Sequence, residues 1–190
     1  MKHAIGEPNF SVPDNLGLVS EDTFVEIRDL LQASDRTTDT IVWFPGQSKT
    51  GLHAAVGKIS RQLCNYVGDT MNERMIHAEY NFEIGDRRRA PRWHMDFRDH
   101  GLARFSAANL SPTETVVSDG SVDITKFALS VIGGRNKAGV DRVVNRGIRR
   151  GGLRILTPPD RQLTRIDEHL HRTPPYVDPL RVWFRTALHW

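Results

Sequence analysis

One change of hydrophobic period, near residue 75, constrains this 190-residue chain more than any other feature. Before it, apolar residues recur at helical spacing: Phe24, Ile27 and Leu31, then Leu52, Val56, Ile59, Leu63 and Val67. After it, Ile76, Ala78, Tyr80 and Phe82 alternate with His77, Glu79, Asn81 and Glu83, the period of a strand with one buried face. Helices early and many short strands later point to an α+β chain. The expected architecture is a double-stranded β-helix, or jelly roll, with the N-terminal helices packed on one sheet.

Local signals place the elements. Ser20 is an N-cap with Glu21 and Asp22 in the first turn, and that helix is expected to run to about Ala33. Residues 41–44 read as a strand closed by Pro45 and Gly46, and the second helix as ending at Gly68 in the C′ position. The first twenty residues, rich in Pro, Gly and Asn, are expected to run over the surface. Beyond a turn at Gly85 and Asp86, strands are expected at 92–97, 104–110 and 113–117. Val140, Val143, Val144 and Ile148 predict a helix with a basic outer face. Residues 153–157 and 163–167 read as a hairpin about Pro158, Pro159 and Asp160; Pro174 and Pro175 break the chain before a last strand at 181–188. The length fits one domain, 1–190, with a helical region at 1–74 packed on a core at 75–190.

Composition removes several classes. No apolar run approaches the roughly 20 residues that span a bilayer, and the N-terminus lacks the apolar core of a secretory signal. The lone cysteine, Cys64, excludes an internal disulfide framework and fits a reducing compartment, so a cytoplasmic protein with no membrane partner is expected. Net charge is only +3, but arginines cluster. Arg87, Arg88, Arg89, Arg92 and Arg98 could receive an anionic substrate, whereas Arg146, Arg149 and Arg150 read as a solvated surface. No zinc finger, heptad zipper or aromatic RNA-binding signature accompanies them, so nucleic acid is not the expected partner.

The chemistry centres on Arg92-Trp93-His94-Met95-Asp96. On a strand, His94 and Asp96 project from the same face, presenting an imidazole nitrogen beside a carboxylate. These are two ligands of a facial triad, a set that leaves positions open on non-haem Fe(II). Zinc would more usually take a closed site rich in Cys and His. A third ligand must come from elsewhere, and His171 is the best candidate, with His169 competing two residues away. His77-Ala78-Glu79 is a second His-X-acid match, for which two polar residues on a solvated sheet face is the plainer account.

The order His94-X-Asp96, then His171-Arg172-Thr173-Pro174-Pro175, then Arg181 resembles the Fe(II)/2-oxoglutarate-dependent dioxygenases. Residues 81–86 look like the strand and turn that precede His-X-Asp in the prolyl-hydroxylase-like branch. The resemblance covers roughly residues 75–188. It implies His94, Asp96 and His171 as catalytic metal ligands, with Fe(II) and 2-oxoglutarate as cofactors. It also implies that Arg181, ten residues after His171, binds the far carboxylate of 2-oxoglutarate, with Arg185 four residues later as a further cosubstrate position. Dioxygen would be consumed and succinate and carbon dioxide released. The substrate implied is a small molecule or peptide, an anionic one among the candidates: an amino acid, a peptide residue or a natural-product intermediate. Asp96 argues for hydroxylation, desaturation or ring formation over halogenation. Phe82 stands where that branch often has a cosubstrate-binding tyrosine, leaving Asn81, Arg104 and Thr115 as replacements. The competing readings are a non-catalytic metal- or sugar-binding jelly roll, a cupin-like histidine set including His77 and His169, and a nucleic-acid oxygenase.

Overall fold

The computed structural model describes residues 8–34, 38–47, 49–72, 74–84, 92–95, 106–109, 113–121, 123–124, 126–127, 137–166, 168–174 and 182–189; for 38–39, 71, 83–84, 106–109, 137 and 182–189 it describes the backbone. The element order is β1 (Asn15–Leu18), α1 (Glu21–Ala33), β2 (Thr38–Trp43), α2 (Leu52–Met71), β3 (His77–Ile84), β4 (Ser106–Asn109), β5 (Glu114–Ser118), α3 (Lys137–Arg149), β6 (Leu153–Leu156), β7 (Gln162–Thr164), β8 (His171–Arg172) and β9 (Val182–His189). Among the described residues these are three helices and three small antiparallel sheets, ordered β2-β3-β9-β4, β6-β5-β8 and β1-β7. No helix among them is long and apolar enough to cross a membrane.

The first half folds as its periodicity dictates. Ser20 caps α1 by accepting the Thr23 backbone N–H at 3.3 Å, and Glu21 and Asp22 face the positive end of the helix. Thr23, Ile27 and Leu31, four apart, form its buried stripe. On α2 the buried residues Ala55, Val56, Ile59, Leu63 and Val67 meet Ala78, Tyr80 and Phe82 from one face of β3. Tyr80 is fully buried, and its hydroxyl shares a 2.6 Å hydrogen bond with Ser60 Oγ, which makes its burial tolerable. His77, Glu79 and Asn81 point from the other face of β3 and stay half-buried.

A second core lies under the sheet β6-β5-β8. Phe10, Trp93, Val116, Val144, Leu153 and Leu170 form it, with Val140, Val143 and Ile148 of α3 packed against them. Arg142, Arg146 and Arg149 are exposed on α3, and Arg150 is exposed in the turn just after it. Arg146 and Arg149 in its last turn complement the negative end of the helix. Gly147 lets α3 approach β6 closely: a Cβ there would lie 2.4 Å from Leu153 Cδ1 and 2.9 Å from Phe127 Cε2. Gly147→Ala is therefore expected to destabilise the fold by about 1–3 kcal/mol through overpacking, lowering Tm by several degrees in a thermal melt.

The structure departs from the sequence expectations in five places. Residues 8–19 do not wander: Phe10 is buried edge-on against Phe127, the Asn9 N–H donates to the Glu168 carbonyl at 2.7 Å, and β1 pairs with β7. Those anchors are isolated apolar residues with no period to reveal them. Helix α2 continues past Gly68; the left-handed C-cap is Asn72 at φ 52°, a residue whose short polar side chain tolerates that region. The expected hairpin of β6 and β7 is absent, because β6 pairs with β5 and β7 with β1. Pro158 and Pro159 between them have no N–H to donate to a ladder, and Arg161 turns the chain at φ 64°. Within 92–97 the described residues contain one isolated bridge, at His94, rather than a run of strand. Ile76 lies outside β3 and is 58% exposed.

Candidate metal site

His94 and His171 face each other across an isolated antiparallel bridge. The His94 N–H donates to the His171 carbonyl at 3.1 Å and the His171 N–H returns the bond at 2.9 Å, so the two residues sit directly opposite. On its other side β8 pairs with β5, which puts Thr115 opposite His171 and Glu114 opposite Arg172. Directly opposed residues project to the same face, and the two imidazole rings lie with centroids 4.4 Å apart at 55°. His171 is 4% exposed and His94 is half-buried.

Each ring is held in the same way. Nδ1 of His94 lies 2.8 Å from the Arg92 carbonyl, and Nδ1 of His171 lies 2.9 Å from the His169 carbonyl. A carbonyl oxygen can only accept, so each Nδ1 carries a proton, and Nε2 is the nitrogen left to serve as a donor atom toward a metal. Anchoring one ring nitrogen on a backbone oxygen is how a histidine is oriented as a metal ligand through the other. The donor chemistry fits a non-haem Fe(II) centre: two imidazoles side by side, with a carboxylate two residues beyond one of them in sequence.

Of the other sequence candidates, Asp96 and Arg181 lie outside the described residues, as do Arg87, Arg88, Arg89, Arg98 and Arg104. Among the described residues no group of three or more His, Cys, Asp or Glu stands close enough to hold a metal. Arg185 lies on β9 at a register position between Asn81 of β3 and Asn109 of β4, and Asn81 in turn pairs with Thr40 of β2. The row Thr40-Asn81-Arg185-Asn109 thus crosses all four strands. The Thr40 hydroxyl donates to Asn81 Oδ1 at 3.0 Å. Phe82 is on the opposite face of β3, buried against the helices with its ring 6.2 Å from that of Tyr80. Thr115 is buried beside His171, its hydroxyl 3.5 Å from the Leu156 carbonyl.

His169 sits differently from His171. It is buried and lines a cavity of about 120 Å³ with Asn9, Asp14, Arg165 and Glu168. Glu168 at φ 66° and the bond from Asn9 turn the chain just before it, so position 169 does not continue the strand of position 171. His77 lies at the start of β3, its Nε2 3.7 Å from Glu79 Oε1 and its ring beside Phe44. Two residues that sequence reasoning did not single out support the histidine pair: Asp141, whose Oδ1 accepts the Trp93 N–H at 3.0 Å, and Glu114, which accepts from Arg172 Nε. Asp141 was visible as the only acid in a basic helix; nothing in the sequence distinguishes Glu114.

No protein-family model and no curated protein matches the chain. Solved structures do resemble it. AviO1 from Streptomyces viridochromogenes Tue57 is similar at a TM-score of 0.49 and 10% identity, over 94% of this chain and 88% of that one. A Pseudomonas putida prolyl-4-hydroxylase is similar at 0.44 and 13%, over 88% and 83% of the two chains. HygX from Streptomyces hygroscopicus, whose structure holds nickel and 2-oxoglutarate, is similar at 0.43 and 12%, over 86% and 77%. A prolyl hydroxylase and a 2-oxoglutarate-binding protein thus stand among the structures this chain resembles. Likeness at this level carries no chemistry, which rests on the residues themselves.

Proposed function

We propose that this chain is an Fe(II)- and 2-oxoglutarate-dependent oxygenase that hydroxylates an amino acid, a peptide residue or a natural-product intermediate, with His94, Asp96 and His171 as metal ligands. The observation that carries this reading is the paired imidazoles, each locked through Nδ1 to the carbonyl two residues back. In the proposed fold, the sheets β2-β3-β9-β4 and β6-β5-β8 are the two faces of a jelly roll. Bound Fe(II) and 2-oxoglutarate would supply the oxidising chemistry, with dioxygen consumed and succinate and carbon dioxide released.

The chain's own residues bind and orient. His94 and His171 offer neutral nitrogens, and Asp96 one negative oxygen that offsets part of the metal's charge. Arg181 and Arg185 are the guanidinium positions for the far carboxylate of 2-oxoglutarate, where a planar fork makes two charge-assisted hydrogen bonds. For the hydrogen bond that a tyrosine gives in related enzymes, Asn81 has the best support. It neighbours Arg185 in register, and its oxygen is occupied by Thr40, which leaves the amide N–H₂ to donate. The lone Cys64, whose thiol burial pushes up, suits a reducing cytoplasm.

The test is an anaerobic titration of metal-free protein with Fe(II) and 2-oxoglutarate, followed by visible absorption. A charge-transfer band at one equivalent of each is expected. Well-folded protein that gives no band would leave the non-catalytic metal-binding jelly roll as the account of this fold.

A further inference from the structure

The back of the histidine pair carries a stack of its own. Because His94 and His171 are opposed in an antiparallel bridge, their neighbours Trp93 and Arg172 form the next opposed positions and project to the other face. The Arg172 guanidinium lies over the Trp93 ring, 4.3 Å from its centroid. Arg172 Nε donates to Glu114 Oε2 at 2.5 Å, with the two side chains 25% and 17% exposed. Trp93 is 1% exposed, and its backbone N–H is held by Asp141 of α3.

We propose that Glu114, Arg172 and Trp93 form a positioning unit that sets the register of the two imidazoles and so tunes metal affinity from the face opposite the metal. The proposal rests on the reading of His94 and His171 as ligands. Among the described residues, the segment of His94 meets β8 through that one bridge, and two hydrogen bonds alone leave it free to shear. The stack removes that freedom. Trp93 cannot slide past Arg172 without losing a partly buried cation–π contact. Arg172 cannot follow, because the register of β5 and β8 holds Glu114 opposite it. Asp141 pins Trp93 from the helix side, with Arg92 Nε 3.9 Å from its Oδ2.

The indole itself argues against packing alone. Trp93 Nε1 is buried with no hydrogen-bond partner among the described residues, a cost that an apolar aromatic at this position would avoid. What tryptophan adds is the strongest π face for a cation. The guanidinium is equally specific: it sits over the ring while its Nε donates to Glu114, and its planar shape lets one group do both.

The experiment compares metal-free wild type with Glu114→Gln, Arg172→Lys and Trp93→Phe, conservative changes that keep an amide, a cation and an aromatic ring in place, and with Ile27→Val as a destabilised control remote from the site. Two properties are measured: Co(II) affinity by calorimetry, and the imidazole ¹⁵N signals of His94 and His171 without metal. The three stack variants are expected to bind Co(II) about 10–100-fold more weakly, the range for groups that orient a ligand. Their His94 and His171 signals should shift from the Nδ1–H form, while Ile27→Val changes neither property. Stack variants with wild-type affinity and wild-type signals, or an equal loss of affinity in Ile27→Val, overturn the proposal. Wild type that binds no Co(II) defeats the ligand reading instead, and the metal-free imidazole signals then decide the positioning role alone.

Discussion

Alanine at position 171 is expected to weaken Fe(II) binding by at least about a hundredfold, since even the loss of a residue that merely orients a ligand costs 10–100-fold. Alanine at position 169 should leave most of that affinity. The two histidines are close in sequence, and the contrast between them is structural. The ring of His171 stands 4.4 Å from that of His94, whereas His169 lines the cavity beside Asn9 and Arg165. The contribution of His169 to its neighbour is its backbone carbonyl, which accepts from His171 Nδ1 at 2.9 Å and which an alanine retains. Anaerobic titration of both variants with Fe(II) and 2-oxoglutarate separates them. A band lost in His169→Ala and kept in His171→Ala would move the distal ligand to position 169.

The second large effect is expected from Trp93→Ala. Trp93 is among the largest fully buried side chains, at the centre of a core formed by Phe10, Val116, Val144, Leu153 and Leu170. Truncating a buried aromatic of this size costs about 3–5 kcal/mol. That is a large part of the roughly 5–15 kcal/mol that stabilises a typical domain. For a chain of this length, Tm should fall by on the order of 10 °C in the metal-free protein. Arg172 would then lose its aromatic face but keep Glu114, so its charge stays paired and the loss is mainly one of packing. A melt within about 2 °C of wild type would mean that this second core is not continuous through Trp93.

The two halves of the molecule differ in how readable they were. Around α1 and α2 the sequence carries its own structure, because a cap at Ser20 and apolar residues three and four apart act within a turn or two. Even there, the extension of α2 beyond Gly68 was missed: a glycine signals the option of a left-handed cap without requiring it. In the second half, most strands are legible but their partners are not, and the two-residue β8, which carries His171, is not legible at all. β6 and β7 look like a hairpin because they are short, apolar and joined by a Pro-Pro turn, yet each finds its partner in a different sheet. Strand pairing is decided by which faces are left to bury, and no local pattern encodes that.

The site divides along the same line. Side-chain alternation gives the expectation that His94 and Asp96 share one face, and residue types alone name imidazole and carboxylate as the donors. Asp96, Arg181 and the arginines before His94 lie outside the described residues, and for them the reading remains that of the sequence. Opposing His94 and His171, 77 positions apart, took the tertiary structure, through a bridge that also sets Trp93 against Arg172. The same holds for Asn81 and Arg185, whose neighbourhood exists only in the register of β3 and β9. Sequence determined the period of each segment and the chemistry each could offer, because both are properties of neighbouring residues. Tertiary structure decided which segments face one another, because that depends on burying every apolar face at once.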